Sequence, residues 1–464
     1  MEEATLSMVY RSLLFSILLS VTLFYISYFF YRSARKAGIF TTLLIIGFFT
    51  YGFIYDQIPY LRNNHIWPFH HIHRYLVVIY FIVSVVLFML LYRSKRPHYN
   101  VTYILNFFVF ALFVINASSG IALYKKPSTP IASASKLENL SGVQPITAPD
   151  VYYIILDGFA SEETLQTFYG DPKPFLYASL RSKGFYIADS SRCNYGYTVV
   201  SLSSSLNMNY LDSLPKSANP YDLIRKNSVS QIFKANAYRF VSVESGYAIT
   251  QNLDYADRVH KIGGLNEFER ILLSLSFLKI DEMIGFGDYA RLSSQLDRLP
   301  AIIQEKGPKF SFIHLISPHP PFVFNADGSR KLRTSLSGKW GPTMYEPRKD
   351  YKDQLDYFSK RVSLLVEQIL ASSKVPPIII IQSDHGSWIQ DKNPLNVYDA
   401  RSRILNAYYV PDSTRKRLYK SITPVNTFRI ILSDLFKLPF STIPDSAGSL
   451  EEFKRNSTFQ FYNQ

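Results

Sequence analysis

The sequence predicts a multi-span α-helical membrane domain followed by an α/β domain with a mainly parallel sheet and helices on both faces. Three observations carry this: four uncharged apolar stretches within the first 126 residues, a Ser/Ala/Pro-rich segment after them, and then short apolar runs alternating with stretches of helical periodicity. The 464 residues include 34 Tyr, 35 Phe and 3 Trp, and only 19% are charged, which excludes a disordered chain. The single cysteine, Cys193, cannot form an internal disulfide and offers no cysteine-based zinc or redox motif; it reads as structural.

The uncharged stretches are Ser12–Tyr31, Ala37–Tyr55, Tyr75–Tyr92 and Val101–Tyr124. A helix crossing the hydrocarbon core needs roughly 17–25 residues, so each can span. A cleaved leader could mimic the first stretch but would not be followed by three more. Charge sets the orientation. The first loop carries Arg32, Arg35 and Lys36 and the third Arg93, Lys95 and Arg96, whereas the longer second loop, Asp56–Arg74, has only Arg62 and Arg74. Positive charge favours the cytoplasm, so loops one and three are expected inside, and the chain beyond the fourth span outside despite Lys125 and Lys126. The expected location is therefore the cell membrane, multi-pass, with an extracytoplasmic C-terminal domain.

The formal charge of +14 does not imply a nucleic-acid partner. Residues 1–126 hold 11 Lys/Arg and 3 Asp/Glu, a surplus of 8, and the other 338 residues hold 39 and 33, a surplus of 6. The excess sits in the apolar part rather than on a soluble face. His65, His70, His71 and His73 lie in the second loop beside Tyr60, Trp67 and Phe69, the mixture expected at a membrane interface rather than a metal site. Asn106 and Asn116 in the fourth stretch read as helix-packing contacts. The expected division is residues 1–126 in the membrane, 127–147 as linker and 148–464 as the soluble domain. At about 3.1 Å per residue the linker could reach roughly 60 Å.

In the soluble part, Val151–Leu156 is a continuous apolar run ending at Asp157-Gly158. Phe310–Ile316 ends at Ser317-Pro318-His319, and Pro377–Ile381 at Gln382-Ser383-Asp384-His385-Gly386; Asn406–Val410 is a further candidate. Runs apolar on both faces suit buried parallel strands. Tyr351–Leu370 places Leu355, Phe358, Val362, Leu365, Val366 and Ile369 at helical spacing, and Thr423–Phe436 reads as helical too. Ligands in open parallel sheets bind at the carboxyl ends of strands, where Asp157, His319, Asp384 and His385 would all stand. An Asp-Gly after one strand is an ordinary turn. Asp384-His385-Gly386 after four isoleucines instead puts two ligand-type side chains where the sheet opens. Thr198, after Asn194-Tyr-Gly-Tyr, falls at or near the start of a helix containing Leu202 and Leu206. Free N–H groups there favour phosphate or sulfate, although a bare N-cap explains the same threonine.

Together these pieces resemble the alkaline phosphatase/sulfatase superfamily, and most of all its membrane-anchored branch of lipoteichoic acid synthases and phosphoethanolamine transferases. The resemblance covers roughly residues 149–440. It rests on Tyr153-Ile-Ile-Leu-Asp157-Gly158, on Tyr197-Thr198 leading into Ser201-Leu-Ser-Ser-Ser-Leu-Asn-Met208, on His314 with His319-Pro-Pro-Phe322, and on Ser383-Asp384-His385-Gly386, in that order. It implies an alkaline-phosphatase-like α/β domain in which Asp157, Thr198, Asp384 and His385 hold one divalent metal. Thr198 would be the nucleophile forming a covalent intermediate, His319 would act beside the substrate on charge or a proton, and His314 would line the same substrate site. A metal-lowered hydroxyl pKa and neutralised phosphoryl oxygens fit that chemistry. Three oxygens and an imidazole suit Mn²⁺ or Zn²⁺, with Mg²⁺ as a third candidate.

The resemblance further implies a transferase moving a phosphoryl-linked head group, of phosphoglycerol or phosphoethanolamine type, from a phospholipid or other phosphate-ester donor to an envelope glycan or lipid acceptor. Two departures shape the alternatives. The first ligand is Asp157, usual in phosphatases and sulfatases, where the lipoteichoic acid synthases and ethanolamine transferases carry Glu; a sulfatase-like hydrolase (phosphodiesterase, phosphatase or sulfuric ester hydrolase) is the rival. No histidine follows His385, which favours one metal over two, and Cys193-Asn-Tyr-Gly-Tyr197 lacks the Cys-x-Pro-x-Arg signal of formylglycine sulfatases. A non-catalytic envelope binding protein is the third reading. The acceptor pocket is expected between Asp327 and Arg348, near Trp340.

Overall fold

The computed structural model describes residues 6–63, 72–124, 142, 145, 147–213, 220–251, 253, 255–278, 286–331, 348–389 and 391–447. Most of the expected linker, His65, His70 and His71, and the 332–347 segment with Trp340 lie outside the described residues. The chain forms two compact units: Met1–Ser128 with Asn266–Met283, and Thr129–Leu265 with Ile284–Gln464.

The first unit holds α1 (Leu6–Tyr31), α2 (Ala34–Asn63), α3 (Ile72–Arg93) and α4 (Tyr99–Tyr124). Among the described residues three segments are long and apolar enough to cross a membrane, Val9–Tyr31, Ala34–Tyr55 and Tyr75–Arg93. The fourth expected span is a helix as well, with a shorter apolar segment, Tyr99–Ile115. Outward-facing Phe81, Phe107 and Phe113 are exposed, as in helices that meet hydrocarbon instead of water. Loops one and three meet at one end, where Lys36 Nζ donates to Ser94 O at 2.6 Å and the Arg35 guanidinium lies 4.0 Å from the Tyr99 ring centre.

The second unit runs β1 (Val151–Leu156), α5 (Glu162–Tyr169), α6 (Phe175–Ser182), β2 (Tyr186–Ile187), α7 (Thr198–Asn207), α8 (Pro220–Arg225), α9 (Ser228–Ala235), β3 (Arg239–Val243), α10 (Ala248–Gln251) and β4 (Arg258–His260). The chain then enters the first unit as α11 (Glu267–Leu275) and returns with α12 (Phe286–Ile303), β5 (Lys309–Leu315), α13 (Arg348–Ser372), β6 (Ile378–Gln382), α14 (Pro394–Ser402), β7 (Asn406–Tyr409), α15 (Asp412–Arg415) and α16 (Pro424–Phe436). Among the described residues the strands make one seven-stranded sheet ordered β2-β7-β6-β1-β5-β3-β4.

β1 lies at the centre, parallel to β5 and β6, and its alternate residues point to opposite faces. Tyr152, Ile154 and Leu156 enter a core with α12 and α13, through residues such as Leu296 and Leu355. Val151, Tyr153 and Ile155 enter the other with α7, α9 and α16, through Leu202, Phe233 and Phe428. The expected helices on both faces are present. β7 departs from the expected parallel set. It runs antiparallel to β6, with Gln382 opposite Asn406, and an apolar run of its length carries no sign of its direction.

Candidate active site

The carboxyl ends of β1, β5 and β6 lie side by side, and the predicted residues follow directly from them. Asp157 extends β1, its N–H bonded to Leu315 O at 3.0 Å, and His319 follows β5 with its N–H on Asp157 O at 3.1 Å. Asp384 and His385 follow β6. The Ser383 hydroxyl beside them accepts from Phe159 N at 2.8 Å and lies 2.7 Å from Leu156 O and 2.5 Å from His385 O. One small hydroxyl thus ties the β1 loop to the β6 loop. Helix α13 braces the same loops from one side: Tyr351 OH donates to Gly158 O at 2.9 Å and Gln354 Nε2 to His319 O at 3.1 Å.

Thr198 is the first residue of α7. The N-cap is Tyr197, with extended backbone and no side-chain cap bond, so capping does not account for the threonine. Its Oγ1 instead lies 3.4 Å from His385 Nε2, and Ser201, one turn on, donates to Asp384 O at 2.7 Å. Asp157, Asp384 and His385 are buried and each offers a ligand atom within 4.8 Å of the others. His385 Nε2 is 3.3 Å from Asp384 Oδ2 and 3.5 Å from Asp157 Oδ1. Neither carboxylate oxygen has a hydrogen-bond partner.

The protonation of His385 is decisive. Its Nδ1 lies 3.1 Å from Gly386 O, and a carbonyl only accepts, so the proton sits on Nδ1. Burial and then the charge of Arg401 hold the ring well below the usual histidine range, which keeps it neutral. Its Nε2 lone pair therefore faces two carboxylate oxygens, with the Thr198 hydroxyl, which can donate, 3.4 Å away. A single hydroxyl proton cannot serve a lone pair and two carboxylate oxygens at once, and burying a set so short of donors is costly. A divalent cation is the partner that satisfies the set, and the orphaned Asp157 Oδ1 and Asp384 Oδ2 fit one. The carboxyls differ. Burial and then the charge of Asp157 push Asp384 up to about 7. Burial also opposes ionisation of Asp157, but the His319 charge and the His314 hydrogen bond outweigh it and hold its carboxyl well below the usual range.

His314 and His319 come to the same place by different routes. His314 lies within β5, fully buried, its Nε2 3.4 Å from Asp157 Oδ2 and its Nδ1 2.8 Å from Thr250 Oγ1. His319 is half-buried, its ring centre 6.3 Å from that of His385, and its Nδ1–H donates to Pro320 O at 2.8 Å. Cys193 is buried with its Sγ on Arg401 O at 3.7 Å, and burial pushes the thiol up to about 12, as befits an inert packing residue.

Sequence reading missed Arg401. It is buried, donates from Nε to Gly196 O at 3.0 Å and from Nη1 to Gly386 O at 2.8 Å, and lies 4.4 Å from the Trp388 ring centre and 5.9 Å from that of Tyr197. One guanidinium thus grips the residue two before Thr198 and the residue after His385. Gly386 must be glycine for this approach, because a Cβ there would lie 2.1 Å from Ala400 O and 2.5 Å from Arg403 O. The only hint in the sequence was an arginine at the end of a helix.

No protein-family model matches the sequence, and no curated protein matches it. Among solved structures the chain is similar to the C-terminal periplasmic domain of EcEptC from Escherichia coli in complex with Zn, at 13% identity, 67% of this chain and 91% of that chain, with a TM-score of 0.44. It is similar to the C-terminal periplasmic domain of phosphoethanolamine transferase EptC from Campylobacter jejuni, at 12% identity, 65% and 95% coverage, with a TM-score of 0.39. It is also similar to the integral membrane protein lipooligosaccharide phosphoethanolamine transferase A (EptA) from Neisseria meningitidis, at 12% identity, 94% and 86% coverage, with a TM-score of 0.41.

Proposed function

We propose that this protein is a membrane-anchored member of the alkaline phosphatase/sulfatase superfamily that transfers a phosphoryl-linked head group, of phosphoglycerol or phosphoethanolamine type, to an envelope acceptor outside the cytoplasm. Residues 1–126 would anchor it through four spans, 127–147 would link, and 148–464 would carry the chemistry. The observation that supports this most is the His385 Nε2 lone pair turned on Asp157 Oδ1, Asp384 Oδ2 and the Thr198 hydroxyl. Those four side chains would hold one divalent cation, Mn²⁺ or Zn²⁺ before Mg²⁺ because one ligand is imidazole. When bound, the ion supplies Lewis-acid activation and charge neutralisation.

The chain's own groups then have defined tasks. Thr198 Oγ1, its proton released to solvent on activation, attacks the phosphorus of the donor; the phosphorus–oxygen bond to the lipid alcohol breaks, and the threonine carries the phosphoryl-linked head group until an acceptor hydroxyl displaces it and returns the oxygen to its starting state. The N–H groups opening α7 face the phosphoryl oxygens. His319 Nε2, on the side of the ring away from the Pro320 carbonyl, gives the proton to the leaving oxygen and takes one from the acceptor. His314, fixed by Thr250, orients Asp157. Incubation with a head-group-labelled phospholipid followed by intact-mass analysis should show the head-group mass on Thr198 and none in Thr198→Ala; an unmodified wild-type chain that still turns over would overturn the intermediate.

A hydrolase that passes the same group to water is the second reading, favoured by Asp157 in place of Glu. Label released free, with none on a glycan or lipid acceptor, would select it.

A further inference from the structure

Between β4 and α12 the chain leaves the α/β unit, and residues 266–283 belong instead to the helical one. Helix α11 is built for that place. Its N-terminus is closed by a capping box between Asn266 and Glu269, and Glu269 also takes a two-pronged ion pair from Arg11 on α1, at 2.7 and 2.8 Å. Its acidic and basic residues are confined to that end, and Ile271–Leu278 is uncharged.

The contacts set how far the helix runs along the spans. Arg11 lies 20 residues before Tyr31 and Tyr55 lies 21 residues after Ala34, so in this antiparallel pair they mark one level. The other end of the insert meets α2 at Phe48: Phe277 N donates to Phe48 O at 2.8 Å, and the Phe277 and Tyr51 ring centres are 4.8 Å apart. Phe48 is seven residues inside Tyr55, or roughly 10 Å along a helix. Between these points α2 is notched at Gly52, where a Cβ would lie 1.9 Å from Ser274 O and 2.7 Å from Leu275 Cα. A small residue that lets two backbones touch is how helices pack within a bilayer.

Past its last turn, none of the three described N–H groups of the insert is open. Ser276 N donates to Leu273 O, Phe277 N to Phe48 O, and Leu278 N to the Ser276 hydroxyl at 3.0 Å. Hydrocarbon imposes that condition and water does not. Ile271, Leu275 and Leu278 make up the exposed apolar stripe of the insert, each 40–42% exposed, the first two one turn apart on the helix and the third just past its end; Ile46 and Phe53 are exposed on α2.

We propose that Asn266–Leu278 is a re-entrant helix that enters the bilayer alongside α1 and α2 and sets Ile271, Leu275 and Leu278 against lipid acyl chains. The segment is short of a full span, the length at which apolar helices turn back. Because Leu265 and Ile284 belong to the α/β unit, the chain would then meet the membrane a second time, independently of residues 127–147. The proposal rests on the membrane reading of α1–α4 and not on the chemistry at Thr198.

The test uses the full chain in phosphatidylcholine/phosphatidylglycerol vesicles, with single cysteines at Ile271, Leu275 and Leu278 carrying an environment-sensitive fluorophore; native Cys193 is buried. Phe81→Cys on α3 and Ser182→Cys on α6 give the lipid and water references. Nitroxide on the lipid acyl chains should quench the three stripe positions nearly as strongly as position 81 and several-fold more than position 182, with aqueous iodide showing the reverse. Iodide access equal to that at 182 would overturn the proposal. So would protection from iodide without lipid quenching, lost on dilution to one chain per vesicle, which would put a second copy on the stripe. Quenching at 81 tests the membrane reading separately. Gly52→Leu should expel the helix and raise iodide access at 275 with position 81 unchanged; a folded Gly52→Leu protein with unaltered access at 275 would also overturn it.

Discussion

Strand β1 has an aspartate just beyond each end, and the two stand in opposite surroundings. Asp150, at the amino end, meets a cation of the chain itself: Lys309 Nζ, 1% exposed, lies 2.5 Å from Oδ2, and Lys309 N donates to Oδ1 at 3.1 Å. The same ammonium also donates to Glu305 O at 2.9 Å. Asp157, at the carboxyl end, faces a second carboxylate and the neutral His385 imidazole, has His314 Nε2 3.4 Å from Oδ2, and its Oδ1 is left without a partner. Both acids flank the same six residues. An acid matched from within is architecture, whereas one left with a buried oxygen that no donor reaches awaits something from outside. The contrast turns the position beside one strand, which both share, into a discrimination between roles.

That difference can be broken at either end, and the carboxyl end should respond most in activity. Thr198→Ala and Asp384→Asn should each lower head-group transfer by on the order of 10⁴-fold, about 5.5 kcal/mol of transition-state stabilisation. Neither should unfold the protein. Asp384→Asn keeps an oxygen for Gly158 N, now at 3.1 Å, and removes one of two like charges, so the metal-free melting temperature should stay level or rise. A fall of many degrees would mean that the carboxylate is structural after all.

At the amino end the expectation inverts. Asp150→Ala strands the Lys309 ammonium and should cost about 3 kcal/mol of stability, the lower part of the range for breaking a buried pair, because two carbonyls still face it. Thermal unfolding of the full chain in detergent reads that loss. Transfer per folded molecule should be unchanged, and a drop in kcat instead would erase the distinction between the two ends.

The acid ends also differ in how pH acts on them. With its carboxyl raised to about 7, Asp384 in the metal-free protein holds a proton that a divalent ion must displace. Metal affinity should therefore fall about tenfold per pH unit below 7 and flatten above it, with close to one proton released per ion bound near pH 6. Calorimetry in two buffers of different ionisation enthalpy measures that proton. Linkage has the matching sign. Between the unfolded value near 4 and the native value near 7 the native state binds the extra proton, so this group makes the metal-free protein less stable as pH rises through that window. Asp157, held low, contributes in the opposite sense: its stabilisation is present above its unfolded value and is lost as pH falls through its native one.

Much of this architecture was legible because the strands are fully apolar and end abruptly. Val151–Leu156 is β1 residue for residue, and Phe310–Ile316 and Pro377–Ile381 each miss by one, since Lys309 and Gln382 are polar residues that the fold buries and pairs. The four ligand candidates could be read because each follows a strand or opens a helix. β3 and β4 went unread: Arg239–Val243 mixes a charge and a serine into its run, and Arg258–His260 is three residues with only Val259 apolar. Pairing with neighbouring strands, not local pattern, fixes them. The return of residues 266–283 to the helical unit was equally silent, because Ile271–Leu278 has the composition of any amphipathic helix, and Gly52 shows its purpose only with Ser274 against it.

Arg401 offers the smallest and sharpest test of the comparison, because it is a buried cation at the carboxyl end that donates to backbone carbonyls. It donates to the carbonyls of Gly196 and Gly386, and its charge, after burial, helps to keep the His385 ring neutral and favours the ionised form of Asp384. Charge and fork can be separated. Arg401→Lys keeps the charge and the cation–π contact with Trp388 but reaches only one carbonyl, so it should leave metal affinity within about twofold while lowering kcat by up to about tenfold, with KM little changed. Arg401→Gln removes the charge, lets His385 accept a proton more readily, and should weaken metal binding chiefly below pH 7. If both variants lose metal equally at every pH, Arg401 supports the loops only as packing. A split between kcat for lysine and acid-side metal affinity for glutamine would show one side chain holding both the nucleophile's position and its neighbour's lone pair.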